Sequence, residues 1–213
     1  MKRSGTRSER AEGRGRSSTA PDLFAHSWSR EEPGRVIRGW RSDVPDRDGF
    51  LERGAVYDPS EKYRYLLWRR WGAGPEVVWI LLNPSTATEA EGGLDPTLRR
   101  CVGFSRSWGF GSMKITNLFA LRSTNPHALY QEDDPVGSEN DAVIREATAR
   151  ADEVVVGWGA HGGHRGRSAA VLALLAPREL VCLARTQGGQ PGHPLYLSAR
   201  AERALFRPTG GPV

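Results

Sequence analysis

Polar residues able to do chemistry stand where apolar runs stop. The run at 77–82 (VVWILL) ends abruptly at Asn83-Pro84-Ser85-Thr86. Thr116-Asn117 falls inside a second run at 114–119, and a third, at 153–158, passes into Gly157-Trp158-Gly159. A fourth, at 179–184, leads to Thr186 and then, past several glycines, to His193-Pro194. Pro84 has no N–H to give to a ladder, so the strand must end there and hold the Asn83 amide at its carboxyl end. Pro194 restrains His193 to an extended backbone, which fixes the direction of its ring. The glycines of 157–163 offer backbone N–H groups to a phosphate, or form a plain turn. His161 and His164 have a spacing that suits a metal, but no third ligand accompanies them, so no metal site is assigned. Plainer readings stand beside these: Asn83 as a turn residue, Asn117 as an amide bonded to a neighbouring loop, and the two histidines as loop residues.

The elements that position these residues alternate. Short strand-like runs at 54–58 and 63–70, separated by Asp58-Pro59-Ser60, predict a hairpin. The unbroken apolar run at 77–82 predicts a strand buried on both faces. Asp95-Pro96 opens a helix, with Asp as N-cap and Pro at the first helical position. Leu98, Cys101, Val102 and Ser105 share one of its faces, and Gly109 and Gly111 end it. A strand at 114–119 follows. A helix at 138–150 comes next, capped by Ser138 with Asp141 reaching back as in a capping box. The rest reads as a strand at 153–158, a helix at 167–175 and a strand at 179–184. Strands alternating with helices predict an α/β fold: three α/β/α layers around a four-stranded parallel sheet, preceded by a β-hairpin. In such a sheet all the strand ends above lie on one edge, and Asn83, Asn117, the hydroxyls, His193 and the glycine loops converge on one crevice.

Composition bounds the reading. The chain has 213 residues, 38% of them hydrophobic, with 25 Gly and 14 Pro, which leaves part of it unpacked. Residues 51–207 read as a single α/β domain, 21–50 as a loop-like extension and 208–213 as a tail. Residues 1–20 read as a disordered basic arm: six cations against two acids leave +4 of the formal +5 there. The near-neutral remainder does not demand a nucleic-acid surface. Two distant cysteines, Cys101 and Cys182, make a disulfide framework or a cysteine-built cluster unlike this chain. No membrane span or signal peptide is legible, so a cytoplasmic setting is expected.

The motifs resemble an uncharacterised bacterial family, domain of unknown function 1643, over about residues 54–197. The matching pieces are YRYLLWR at 63–69, LNPSTA at 82–87, DPTLRRC at 95–101, TNLFALR at 116–122, DPVGSEND at 134–141 and GHPLYL at 192–197. More distantly, their order is similar to the uracil-DNA glycosylase superfamily, whose fold is a four-stranded parallel sheet between helices. There the first strand ends in a water-positioning Asp or Asn, which Asn83 matches, with Asn-Pro in the mismatch-specific branch. Asn117 matches a base-reading Asn, Gly157–Ala160 a small-residue loop, and His193-Pro194 a His-Pro motif. Two departures matter. Thermostable branches bind an iron–sulfur cluster through four cysteines, so no cluster, and no cofactor, is expected here. The usual His-Pro-Ser grips a DNA phosphate, and Leu195 replaces that Ser.

The resemblance implies hydrolysis of an N-glycosidic bond. His193, neutral, would donate a hydrogen bond to the departing base. Asn83 would orient the water, and Asn117 would read the amide edge of the base. Ser85, Thr86 and Thr186 would contact phosphates, and Phe104 or Trp158 would stack on the base. Three readings compete: a glycosylase on DNA, a hydrolase or transferase on a free nucleoside or nucleotide, and a non-catalytic module binding nucleic acid or nucleotide. The oligomeric state stays open. A dinucleotide-binding Rossmann domain is disfavoured, because no G-x-G-x-x-G follows the first strand.

Overall fold

The computed structural model describes residues 26–86 and 94–208. The basic arm at 1–20 and all but the first residue of the 208–213 tail lie outside them. The strands are β1 (His26–Glu32), β2 (Arg35–Arg41), β3 (Glu52–Tyr57), β4 (Arg64–Arg70), β5 (Glu76–Leu81), β6 (Ser112–Asn117), β7 (Glu153–Val156), β8 (Val181–Cys182) and β9 (Ala204–Leu205). The helices are α1 (Pro96–Ser107), α2 (Ala128–Gln131), α3 (Asn140–Thr148) and α4 (Arg167–Leu175). Two 3-10 segments complete the order, Ala160–Gly166 and Pro194–Tyr196. The chain is mixed α/β, with no helix among the described residues long and apolar enough to cross a membrane.

The sheet is larger than the expected four parallel strands with a hairpin. Among the described residues it has nine strands, in the order β1-β2-β3-β4-β6-β5-β7-β8-β9. Parallel ladders join β6 to β5, β5 to β7 and β7 to β8. The other ladders, β1 to β2, β2 to β3, β3 to β4, β4 to β6 and β8 to β9, are antiparallel. The hairpin read from the sequence is β3–β4, and it extends the sheet because β4 pairs along β6 from Leu67↔Ile115 to Arg70↔Ser112. Residues 21–50, expected to be loop-like, contain β1 and β2. Their alternation is weak, since β2 is half-buried along most of its length rather than one-sided. The last parallel strand is also shorter than expected, two residues rather than six.

β5 shows why its sequence is apolar throughout. Val78 and Ile80 pack with Ile144 of α3 and with Val171 and Leu175 of α4. Val77, Trp79 and Leu81 pack on the other face with Leu98, Cys101, Val102 and Phe104 of α1. Successive side chains of a strand point to opposite faces, so a strand covered by helices on both sides has no polar position. The Trp79 indole is satisfied inside this core: its Nε1 donates to Ser105 Oγ at 3.0 Å, and Ser105 Oγ donates to the Cys101 carbonyl at 2.7 Å.

Helix starts were partly legible. Asp95 caps α1, its Oδ1 accepting from Leu98 N at 2.8 Å, with Pro96 in the first turn. The capping box at Ser138 is corrected: α3 begins at Asn140, and its N-cap residue Glu139 makes no side-chain cap bond. Asp141 instead pairs with Arg167, whose Nε donates to the Leu118 carbonyl at 2.7 Å. Asn140 Nδ2 donates to the carbonyls of Asn117 and Leu118 at 3.1 and 3.0 Å. Two buried side chains thus hold the carboxyl end of β6 against α3 and α4.

Candidate functional site

The carboxyl ends of β5, β6 and β7 and the loop after β8 surround a cavity of about 650 Å3. Its wall includes Asn83 and Ser85 after β5, Asn117 at the end of β6, Trp158 and Gly159 after β7, and Thr186 and His193 after β8. Leu67, Leu81 and Ile115 give it an apolar portion. Thr86, Gly157 and Phe104 do not line it.

Asn83 is held in one orientation. Its Nδ2 donates to the Ser123 carbonyl at 2.8 Å and the Pro84 carbonyl at 3.2 Å. Both partners are acceptors, so the amide cannot be flipped, and Oδ1 is left as an acceptor with no partner among the described residues. Asn117 is 4% exposed, and its side-chain amide has no hydrogen-bond partner among the described residues. Ser85 Oγ donates to Asp95 Oδ2 at 3.1 Å. Thr86 is exposed, and its carbonyl accepts from Arg122 at 2.9 Å.

His193 stands at the start of the Pro194–Tyr196 turn, where its Nδ1 faces Leu195 N at 3.4 Å as an acceptor. The neutral ring therefore carries its proton on Nε2. Burial pushes the imidazole down from 6.5 to about 4, and the Asp95 carboxylate opposes only part of that. The unfolded chain thus takes up a proton between pH 6.5 and 4 that the folded chain refuses. The stability this contributes is complete above pH 6.5 and is lost as pH falls through about 4. At ~1.4 kcal/mol per pH unit the loss is on the order of 3 kcal/mol. Urea unfolding at pH 7 and pH 4 should show wild type losing more stability than His193→Gln. Equal losses would place the titration elsewhere.

The loop that carries His193 is tied down from several sides. Arg100 of α1 donates to the carbonyls of Leu197 and, at 3.4 Å, Pro194. Its guanidinium lies 5.0 Å above the Phe104 ring. Gly157 lets the loop close in: a Cβ there would sit 3.1 Å from Pro194 Cδ. Gly192 N donates to the Ala184 carbonyl at 2.8 Å.

Several assignments change accordingly. Phe104 is buried beside Trp79 and Trp108 and has no ring face at the cavity; its part is to support Arg100. Trp158 lines the wall but is 1% exposed. Its Nε1 donates to Gln190 Oε1 at 2.6 Å, and Gly162 lies so close that a Cβ there would be 2.0 Å from Trp158 Cδ1. Neither ring is free to stack on a base. Thr186 Oγ1 accepts from Gln190 N at 3.1 Å and so shapes its own turn. In the glycine loop, Gly157 N, Gly159 N and Gly162 N donate to backbone carbonyls and so are not available to a phosphate. His161 faces the Tyr130 hydroxyl at 2.9 Å and His164 the Leu129 carbonyl at 3.2 Å. Among the described residues no group of His, Cys, Asp or Glu is arranged to hold a metal ion.

A family described as "Protein of unknown function (DUF1643)" matches residues 64–195, more than half of the chain. The chain belongs to this family. The DUF1643 region runs from the start of β4 to the His193 turn, so it contains Asn83, Asp95, Asn117 and His193, whereas β1–β3 and β9 fall outside it. No curated protein and no solved structure matches the chain.

Asp95, Ser123, Arg185 and Tyr196 are among the wall residues that the sequence reading did not place there. Asp95 was legible as a cap alone; the available signal was that α1 begins at the ligand-binding edge of the sheet. Tyr196 is 81% exposed, with its ring 5.7 Å from that of His193. It followed a proline in a segment readable as simple packing.

Proposed function

We propose that this DUF1643 protein is a uracil-DNA-glycosylase-like hydrolase that cleaves the N-glycosidic bond of a nucleobase. The observation that carries the reading is Asn117. It stands in the cavity wall with its side-chain amide unbonded to any described residue, so a ligand offering both a donor and an acceptor finds a partner for each there. The imide or amide edge of a nucleobase offers that pair. Supporting it are the fixed Oδ1 of Asn83, suited to orienting a water, and the Nε2–H of a neutral His193, suited to the oxygen of a departing base. The parallel-paired strands between α1 on one face and α3 and α4 on the other support the superfamily resemblance.

A second reading, a free nucleoside or nucleotide as substrate, is favoured by the surface charge. Arg35 pairs with Glu139 and Glu146, Lys62 with Glu132, Lys114 with Glu76 and Arg203 with Glu153. Duplex DNA draws on cations left available for its phosphates. Leu195, standing where the superfamily has its phosphate-gripping Ser, points the same way.

Both readings are tested by chromatographic assay of base release. The substrates are oligonucleotides carrying uracil, hypoxanthine, xanthine, or G·T and G·U mismatches, single- and double-stranded, beside the free nucleosides and nucleotides. Release from oligonucleotides that weakens steeply with salt assigns DNA; release from the small substrates alone assigns the second reading. Tight, salt-sensitive oligonucleotide binding with no release would make the protein a binding module and overturn both.

A further inference from the structure

Breaking a C1′–N bond leaves positive charge on the sugar. Asn83, Asn117 and a neutral His193 supply no negative charge to meet it. Among the described residues the cavity wall contains one carboxylate, Asp95. It is held by both oxygens: Oδ1 accepts from Leu98 N at 2.8 Å, and Oδ2 accepts from Ser85 Oγ at 3.1 Å. The chain from Asn83 through Pro84 to Ser85 ties this carboxylate to the strand end that also holds the water-orienting amide. Each carboxylate oxygen has a second lone pair, so Asp95 can accept from a water while keeping both existing bonds. It stands at the amino end of α1, beside the positive end of the helix dipole.

We infer that Asp95 is a catalytic residue of the proposed glycosidase, stabilising the cationic sugar and taking the proton of the attacking water. The inference rests on the glycosidase reading. In the step, the C1′–N electron pair leaves with the base, whose anion accepts the hydrogen bond from His193 Nε2. The water oxygen, oriented by Asn83, forms the new C1′–O bond. The water proton passes to Asp95 and then to solvent, and the departed base takes a proton from solvent. The net change is addition of one water across the C1′–N bond. Asp95 thereby acquires a task besides capping: one carboxylate starts α1 and places a negative charge in the cavity.

The competing role, a cap alone, is separable because Asn and Ser cap helices about as well as Asp. Asp95→Asn and Asp95→Ser both keep an oxygen for Leu98 N and both remove the charge. The measurement is single-turnover base release per folded molecule, with circular dichroism giving the folded fraction, on the substrate that wild type cleaves fastest. Both variants are expected to fall at least ~100-fold, the low end of general acid–base contributions, with thermal midpoints and KM close to wild type. Release at the wild-type rate by either variant, or a fall that only follows the folded fraction, overturns the role of Asp95 and leaves the glycosidase reading intact. Absence of release by wild type overturns the reading and the inference together.

Discussion

His193→Ala is expected to slow base release by about 10²–10³-fold, the effect of removing one preorganised donor from a developing anion. The size follows from how little of this donor is left to chance. Pro194 restrains its backbone, Leu195 N fixes the tautomer, and Arg100 and Gly157 hold the loop against α1 and β7. Burial keeps the ring neutral down to about pH 4, so the donor is the same Nε2–H across the whole physiological range. Single-turnover kinetics at pH 7 measures the loss directly. A variant within threefold of wild type would remove His193 from the reaction and leave it a structural cap of the Pro194–Tyr196 turn.

Asn83→Ala is expected to cost about 10²-fold in the same assay, because a water without an oriented acceptor must find its attack geometry unaided. It should also lower stability by about 1 kcal/mol, since the Ser123 carbonyl loses its donor. Asn83→Asp is the sharper companion. A carboxylate there would face two carbonyls, at 2.8 and 3.2 Å in the native arrangement, with no proton to give them. It should therefore destabilise the protein without accelerating release, even though Asp is the stronger base. An Asp variant faster than wild type would mean that the amide is not held as described. Urea midpoints measured beside the kinetics separate the two effects.

What was readable in the sequence depended on how local its cause was. β5 was readable because a strand covered on both faces must be apolar at every position, and the Asn-Pro that ends it is a chemical stop. α1 was readable because Asp95-Pro96 is a local start signal, and α4 because its run of small and apolar residues is short and bounded by glycine and proline. β1 and β2 were not, because half-buried positions at the edge of a sheet are set by partners distant in sequence, not by a pattern of their own. The start of α3 was missed for a related reason: Asp141 serves Arg167, 26 residues away, rather than its own helix end.

The site divided along the same line. Asn83, Asn117 and His193 each stand at or beyond the carboxyl end of a strand and could be placed at one edge by topology alone. Phe104 and Trp158 were assigned to stacking because aromatic type was legible and ring direction was not. Phe104 turns into the α1 core, and Trp158 is closed off by Gly162 and Gln190. Asp95 went unrecognised because a complete local explanation, the helix cap, was already in hand.

The most direct measurement is to incubate the protein with the base panel in H2¹⁸O and analyse both products by mass spectrometry. Hydrolysis at this site predicts a free base and a sugar carrying ¹⁸O at C1′, with both products lost together in His193→Ala and Asn83→Ala. No free base from any oligonucleotide, nucleoside or nucleotide, or release that both variants retain, would contradict it.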